Sequence, residues 1–219
     1  MRYLISFIFL YLSLYASTEH WQTVLMPNIC TFKIPPTMEV QAGTYKKLSD
    51  KLQKEILEIP VDSTRVLAQQ KDLNKYKKKA FKTYARIMVE TEYGRKGDYE
   101  KITTQLTATK FELRELGGIF RQNMEKELRK ISAKGKMTMK LISWFPVQIV
   151  EINGVSMIHL KYTRSVNNGP EALVNMYIVQ NDDRMHRITI SYRISNADLY
   201  KDDLSKVINT FKFNQGNDR

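Results

Sequence analysis

The feature that most constrains the fold of this chain is a change of hydrophobic period between residues 185 and 213. Over residues 186–194 every second side chain is apolar or aromatic after the initial histidine, which predicts a strand with one buried and one wet face. The spacing then changes to three and four, which predicts an amphipathic helix over residues 199–211. The apolar stripe of that helix consists of Tyr200, Leu204, Val207, Ile208 and Phe211. The simplest arrangement places this helix over a sheet that contains this strand.

Polar residues mark the start of this helix and the turns of the strands before it. Ser195, Asn196 and Asp198 are expected to accept hydrogen bonds from the first-turn amides. Asn153 and Gly154 separate two alternating segments and predict a hairpin, because both central residues of such a turn take positive φ. Further turns are predicted at 167–170 and 181–183. Residues 136–194 are therefore expected to form an antiparallel meander of about four strands.

The N-terminal half shows shorter patterns of both kinds. Segments 28–34 and 37–41 are predicted strands separated by Pro35 and Pro36, since proline cannot donate to a ladder. Helical spacing predicts a helix over 44–57 and a long amphipathic helix over 100–131, either continuous or broken at Gly117 and Gly118. Further predicted strands cover 64–70 and 79–92. The whole pattern indicates one α+β domain over 19–213, with an antiparallel sheet flanked by helices and a polar tail at 214–219.

The first 18 residues differ from the rest of the chain. Arg2 is their only charged residue, an apolar run follows it, and Ala16, Ser17 and Thr18 end it. This order is typical of a secretory signal peptide, with an uncleaved membrane anchor as the alternative. The run is shorter than the roughly 20 residues that span a bilayer. We therefore expect an exported protein, periplasmic or extracellular, that is soluble after cleavage.

The cysteine count and the net charge limit the chemistry further. Cys30 is the only cysteine, so no internal disulfide forms, and its apolar neighbours predict a buried thiol. The net charge is +12, which favours an anionic or acidic partner such as another envelope protein or an anionic polymer. For an exported chain, nucleic acid is the least expected anion.

The densest positive charge lies at residues 71–79, between two predicted strands. The candidate partner-binding residues are Lys75, Tyr76, Lys77, Lys78 and Lys79. This segment is either a basic, aromatic-bearing contact surface or a solvated hairpin loop. The second alternative arises because isolated runs of charged residues are often simply exposed to solvent. Contact with a lipid surface is a further alternative.

No pattern of a known catalytic or metal site is present. His20, His159 and His186 are far apart, and no nucleophile elbow, phosphate loop or dinucleotide-binding glycine pattern occurs. We therefore expect no catalytic residues, no metal and no cofactor. Glu90, Glu92 and Asp98 could act as paired carboxylates of an envelope polysaccharide or peptidoglycan hydrolase, although strand-end carboxylates are usually solvated. Residues 181–183 could ligate calcium, but turns use the same side chains.

Two segments carry a family resemblance. Residues 31–40 (TFKIPPTMEV) and 186–213 (HRITISYRISNADLYKDDLSKVINTFKF) resemble the opening strands and the closing strand and helix of Mog1/PsbP-like proteins, which include DcrB-like envelope proteins. The resemblance covers about 40 residues and implies an α/β sandwich that binds or assists other proteins. It implies no catalytic residue. Together these observations predict a non-enzymatic accessory protein of the cell envelope, with the hydrolase as the alternative.

Overall fold

The computed structural model describes residues 20–52, 65–102, 108–133 and 137–214. The predicted signal peptide, the end of the helix predicted over 44–57 and most of the polar tail lie outside these ranges. The described elements are, in chain order, β1 (Gln22–Met26), β2 (Cys30–Ile34), β3 (Met38–Val40), α1 (Gly43–Leu52), β4 (Val66–Gln70), β5 (Ala85–Tyr93), α2 (Lys110–Ala133), β6 (Met139–Trp144), β7 (Gln148–Ile152), β8 (Val155–Val166), β9 (Ala172–Asn181), β10 (Arg184–Arg193), α3 (Ala197–Val207) and β11 (Lys212–Phe213).

These strands form two antiparallel sheets, so the predicted α+β class is confirmed. The large sheet has the order β3-β4-β5-β10-β9-β8-β6, and β7 pairs with the first half of β8. The predicted meander is present as β6 to β10, with five strands instead of about four. Asn153 and Gly154 have φ values of 53° and 75°, as the predicted β7–β8 turn requires.

The small sheet has the order β1-β2-β11. The two strands predicted around the proline pair exist, but β2 joins the small sheet and β3 the edge of the large one. The strand β1 was not predicted. Phe32 of β2 stacks on Phe211 with parallel rings 4.6 Å apart, which fastens the small sheet to the segment after α3.

The main core lies between one face of the large sheet and a layer made of α3 and the small sheet. All five residues of the predicted helical stripe are buried in it, as is Cys30. The helix predicted over 199–211 is shorter, however: α3 ends at Val207, a 3₁₀ turn follows over Ile208–Thr210, and Phe211 is extended. A second apolar cluster covers the other face, where Leu116, Phe120 and Met124 of α2 pack against β8 and β9. The prediction of a wet face on β10 is therefore wrong: Thr189 and Ser191 are buried, because both faces of this central strand are covered.

Two predicted boundaries are also corrected. The strand predicted over 79–92 begins only at Ala85, and residues 78–82 form a 3₁₀ turn. The side chain of Gln70 explains the difference, because it donates to the carbonyls of Ala80 and Thr83 and accepts from the Ala85 amide in place of a strand ladder. The helix predicted over 100–131 begins at Lys110, where Thr109 and Glu112 form a reciprocal capping box.

The helix α2 is continuous through Gly117 and Gly118, which settles the one-or-two-helix alternative. The expected capping of α3 by Asn196 is not made, because its side-chain oxygen accepts from the Tyr84 amide at 3.1 Å instead. None of the three α-helices in the described ranges combines the length and the hydrophobicity that a bilayer-spanning helix needs.

Candidate functional site

The predicted lysine-rich segment connects β4 and β5, which pair antiparallel, so it is a hairpin connection as expected. We call residues 71–82 the basic loop. It carries six exposed lysines and one acidic residue, Asp72. The six lysines are Lys71, Lys75, Lys77, Lys78, Lys79 and Lys82. The loop therefore presents a concentrated positive charge at one end of the large sheet.

Buried anchors fix the shape of the basic loop. Leu73 and Ala80 are buried, and Asn74 between them is a hydrogen-bonding hub. The Asn74 side chain accepts from the Ala42 amide at 3.0 Å and donates to the Val40 carbonyl at 2.8 Å, while its own amide donates to the Glu39 carboxylate. The loop is thus held at its base by β3 and the segment before α1.

Two aromatic rings stand among the lysines. Tyr76 is 43% exposed and Phe81 is 52% exposed. Both pack edge-on against Tyr45 of α1, with centroid distances of 5.5 and 6.5 Å. Tyr76 also has a φ of 53°, an uncommon conformation for an aromatic residue. Backbone strain of this kind collects at functional positions, and here it fixes a ring on the surface.

One lysine of the basic loop is neutralised locally. The Lys77 ammonium lies 3.0 Å from the Asp72 carboxylate. That hydrogen bond, with the charges of Lys77, Lys75 and Lys71, lowers the pKa of Asp72. Within the described ranges no carboxylate pairs with the other five lysines. Their charges remain available to an external anion.

The carboxylates of the hydrolase alternative are engaged elsewhere. Glu90 lies 3.8 Å from the Arg187 guanidinium, and Asp98 accepts from the Arg95 amide at 2.6 Å. Glu92 lies close to the Tyr99 hydroxyl, and burial together with this carboxylate raises the pKa of Tyr99. Glu92 and Asp98 are exposed, and this geometry does not place the three carboxylates around a shared groove.

The carboxylates of the candidate calcium turn, residues 181–183, already bond to groups of the protein. Asp182 accepts from the Gly97 amide at 3.0 Å, and Asp183 forms a two-point ion pair with Arg184. His159 bonds Asn175 and stacks on Tyr177, whereas His186 lies in the main core. In the described part of the chain no three metal-ligating side chains come together.

A polar cluster on the face of the large sheet opposite the main core was not predicted. The Tyr84 hydroxyl lies 3.2 Å from Ser191 Oγ and 3.5 Å from a guanidinium nitrogen of Arg164. Burial acts to raise the pKa of Tyr84, but the charges of Arg86 and Arg164, together with the hydrogen bonds to Ser191 and Arg164, outweigh it and the pKa is lowered. Tyr84 directly precedes β5, whereas Arg164 lies in β8 and Ser191 in β10, so no local sequence pattern links these three residues. The same holds for Tyr45, which joins the basic loop only through the fold.

No protein-family model matches the chain, and no curated protein matches its sequence. Solved structures with a similar arrangement include a Bacteroides thetaiotaomicron protein, with 8% identity, a TM-score of 0.41 and coverage of 85% of this chain. The chain spans 46% of that protein's length.

Two further solved structures match over most of both chains. Cyanobacterial PsbP from Synechocystis has 13% identity, a TM-score of 0.48 and coverage of 89% of this chain and 92% of its own. LpqN, described as involved in cell envelope biogenesis of Mycobacterium tuberculosis, has 9% identity, a TM-score of 0.35 and coverage of 89% and 90%. These similarities supply no ligand and no site residue. All three similarities have TM-scores below 0.5 and identities below 15%, so the likeness of this chain to Mog1/PsbP-like proteins stays a weak resemblance.

Proposed function

We propose that this protein is an exported, non-enzymatic accessory protein of the cell envelope that binds an anionic or acidic partner through the basic loop. The observation that carries the proposal is the fixed exposure of Tyr76 and Phe81 among six lysines. Aromatic residues are enriched in binding surfaces, and lysines supply steering and salt-sensitive attraction. A loop that was only solvated would not require a strained tyrosine conformation or buried anchors.

Charge reversal at the loop tests this function. The loop variant changes Lys75, Lys78 and Lys79 to Glu, and the control variant changes Lys126, Lys201 and Lys212, which are exposed elsewhere, to Glu. Both variants have the same net charge, so only the position of the charge differs. Binding to poly-L-glutamate and to heparin is measured between low and physiological salt.

We expect the loop variant to lose at least tenfold in affinity while the control retains most of it. Added salt should weaken polyanion binding by the wild-type protein until its affinity approaches that of the loop variant, because screening acts on exposed charges. A Tyr76→Ala, Phe81→Ala variant should weaken binding without changing the salt dependence. Equal binding by the loop and control variants would remove the basic loop as the contact surface. Vesicles with and without anionic lipid distinguish a membrane surface from a soluble acidic polymer.

A further inference from the structure

A second surface lies at the opposite end of the large sheet, where α2 crosses β6. A groove of about 500 Å³ runs between the first half of α2 and the segment that follows β6. Its apolar wall is formed by Trp144 and Phe145, and Gly117 and Gly118 belong to its helical wall. The volume lies in the range of small-molecule sites, roughly 300–1,000 Å³.

The missing side chains of Gly117 and Gly118 have different structural consequences. A Cβ on Gly117 would lie 3.2 Å from Cγ2 of Val147, so this glycine allows α2 to approach the neighbouring segment closely. A Cβ on Gly118 would meet nothing within 4 Å, and this residue does not have a positive φ. Neither packing nor backbone conformation requires a glycine at 118, and glycine destabilises a helix interior relative to alanine. The glycine at position 118 leaves the backbone of α2 uncovered where it lines the groove.

The apolar wall is rigid and partly exposed. Trp144 stacks on Tyr162 with ring centroids 5.7 Å apart, which fixes the indole. Phe145 remains 37% exposed. The Lys161 ammonium lies 5.0 Å from the centre of the Phe145 ring. An apolar surface of this kind suits an aliphatic chain better than a polar ligand.

The rim of the groove is positively charged. Lys110, Arg114 and Arg121 line it, and their spacing of four and seven residues keeps them within about 40° on one side of α2. Arg121 is paired with Glu125 at 2.9 Å. Across the described ranges, no carboxylate pairs with Lys110 or Arg114. The charge complement of this groove is therefore an anion at its Lys110 and Arg114 end.

We propose that this groove binds a single-chain anionic amphiphile of the fatty acid class, with an aliphatic chain of about twelve carbons or more. The aliphatic chain lies along Trp144, Phe145 and the bare backbone at Gly118, and Lys110 and Arg114 bind the headgroup. The Arg114 guanidinium lies 5.7 Å from the centre of the Phe111 ring, and in the described ranges neither it nor Lys110 has a carboxylate partner. An apolar wall beside two such cations matches both halves of such a molecule. The site is separate from the basic loop and does not depend on the function proposed for it.

Trp144 gives a direct signal for binding. The chain has two tryptophans, so a Trp21→Phe background leaves Trp144 as the only one. Dodecanoate, octanoate and dodecyltrimethylammonium are titrated below their micelle concentrations while indole emission is recorded. We expect saturable binding of dodecanoate, at least tenfold weaker binding of octanoate, and at least tenfold weaker binding of the cation. Each fully buried methylene corresponds to about fourfold in affinity, so four methylenes exceed the tenfold limit even in an open groove.

Two variants locate the ligand within the groove. Gly118→Leu fills it, and Arg114→Glu reverses the charge at the headgroup end; each should weaken dodecanoate binding at least tenfold. Arg129→Glu, exposed on the same helix outside the groove, is the matched control and should bind as wild type. Circular dichroism and the urea midpoint establish that each variant is folded. Absence of dodecanoate binding, equal binding of the cationic amphiphile, or unchanged binding by folded Gly118→Leu would overturn the proposal. The triple-lysine variant of the basic loop should bind dodecanoate normally, which separates the two surfaces.

Discussion

The Thr91 hydroxyl and Nδ1 of His186 share a hydrogen bond of 3.0 Å between directly paired positions of β5 and β10. His186 is only 2% exposed, and its ring stacks on Phe213 at 5.4 Å. Burial, assisted by the charge of Arg184, lowers the pKa of His186 from 6.5 to about 4. The imidazole is therefore neutral in the folded protein at neutral pH.

This histidine makes stability depend on pH. Because its pKa is lower in the folded than in the unfolded state, the unfolded chain binds the proton first, and stability falls as pH decreases from 6.5 to about 4. The expected loss from this residue is about 3 kcal/mol over that window. Urea unfolding at several pH values measures it. His186→Leu should remove this part of the slope, and an equal slope in both proteins would contradict the assignment.

Asn153 stabilises the fold in two separable ways. It adopts the positive φ of the β7–β8 turn, and its side-chain amide donates to the carbonyls of Asn209 at 2.9 Å and Phe211 at 3.0 Å. Asn153→Gly keeps the turn and should cost about 1 kcal/mol for the lost bonds. Asn153→Ala should cost roughly 1 kcal/mol more, because alanine disfavours this φ.

A matched asparagine provides the control for this pair of variants. Asn168 also has a positive φ, of 56°, but its side chain accepts from the exposed Lys140 ammonium and not from a buried group. Asn168→Gly should therefore leave the free energy of unfolding nearly unchanged. Equal effects of the two glycine variants in urea titrations would show that the bonds to the segment after α3 contribute little.

The two glycines of α2, Gly117 and Gly118, should respond differently to substitution by alanine. Gly118→Ala should stabilise the protein by roughly 0.5–1 kcal/mol, because its Cβ enters open space. Gly117→Ala should not raise the free energy of unfolding in this way, because its Cβ would lie only 3.2 Å from Val147. In a Val147→Ala background the Gly117→Ala change should become more favourable, which a double-mutant cycle measures. Identical effects of both substitutions on the wild-type background would refute the close approach.

Cys30 should not react in the folded state. It is completely buried, and burial raises the pKa of its thiol to about 12. Since the thiolate is the reactive form, an aromatic disulfide reagent at pH 8 should modify Cys30 only as the protein unfolds. The labelling rate should therefore follow the unfolding rate across urea concentrations. Rapid labelling without denaturant would contradict this burial.

Local patterns predicted the elements whose conformation depends on neighbours in sequence. The part of the apolar stripe from Tyr200 to Val207 and the turn at Asn153 and Gly154 follow from helical periodicity and backbone sterics, and the structure contains both, although α3 ends before residue 211. The buried cysteine followed from its apolar neighbours. The leader over residues 1–18 remains a prediction outside the described ranges, and the role of Lys75 to Lys79 remains a proposal.

Long-range contacts account for the differences. Residues 78–82 have an alternating pattern, but the Gln70 side chain donates hydrogen bonds to the carbonyls of Ala80 and Thr83, and a 3₁₀ turn forms in place of the strand. Asparagine is a residue type that commonly caps helices, but the Asn196 side chain accepts instead from the amide of Tyr84, the residue before β5. The groove beside Gly118 needs a helix and a segment about 26 residues later in the chain, a juxtaposition that periodicity does not contain.

The pairing of β2 with β11 has a consequence for synthesis on the ribosome. The Lys33 amide donates to the Thr210 hydroxyl across 177 residues of sequence. Phe32, Ile34 and their neighbours therefore leave the exit tunnel long before the segment that shields them has been translated. Nascent polypeptides of this protein should need a holding chaperone until the segment after α3 has been translated, and products terminated before that segment should be substrates for proteolysis.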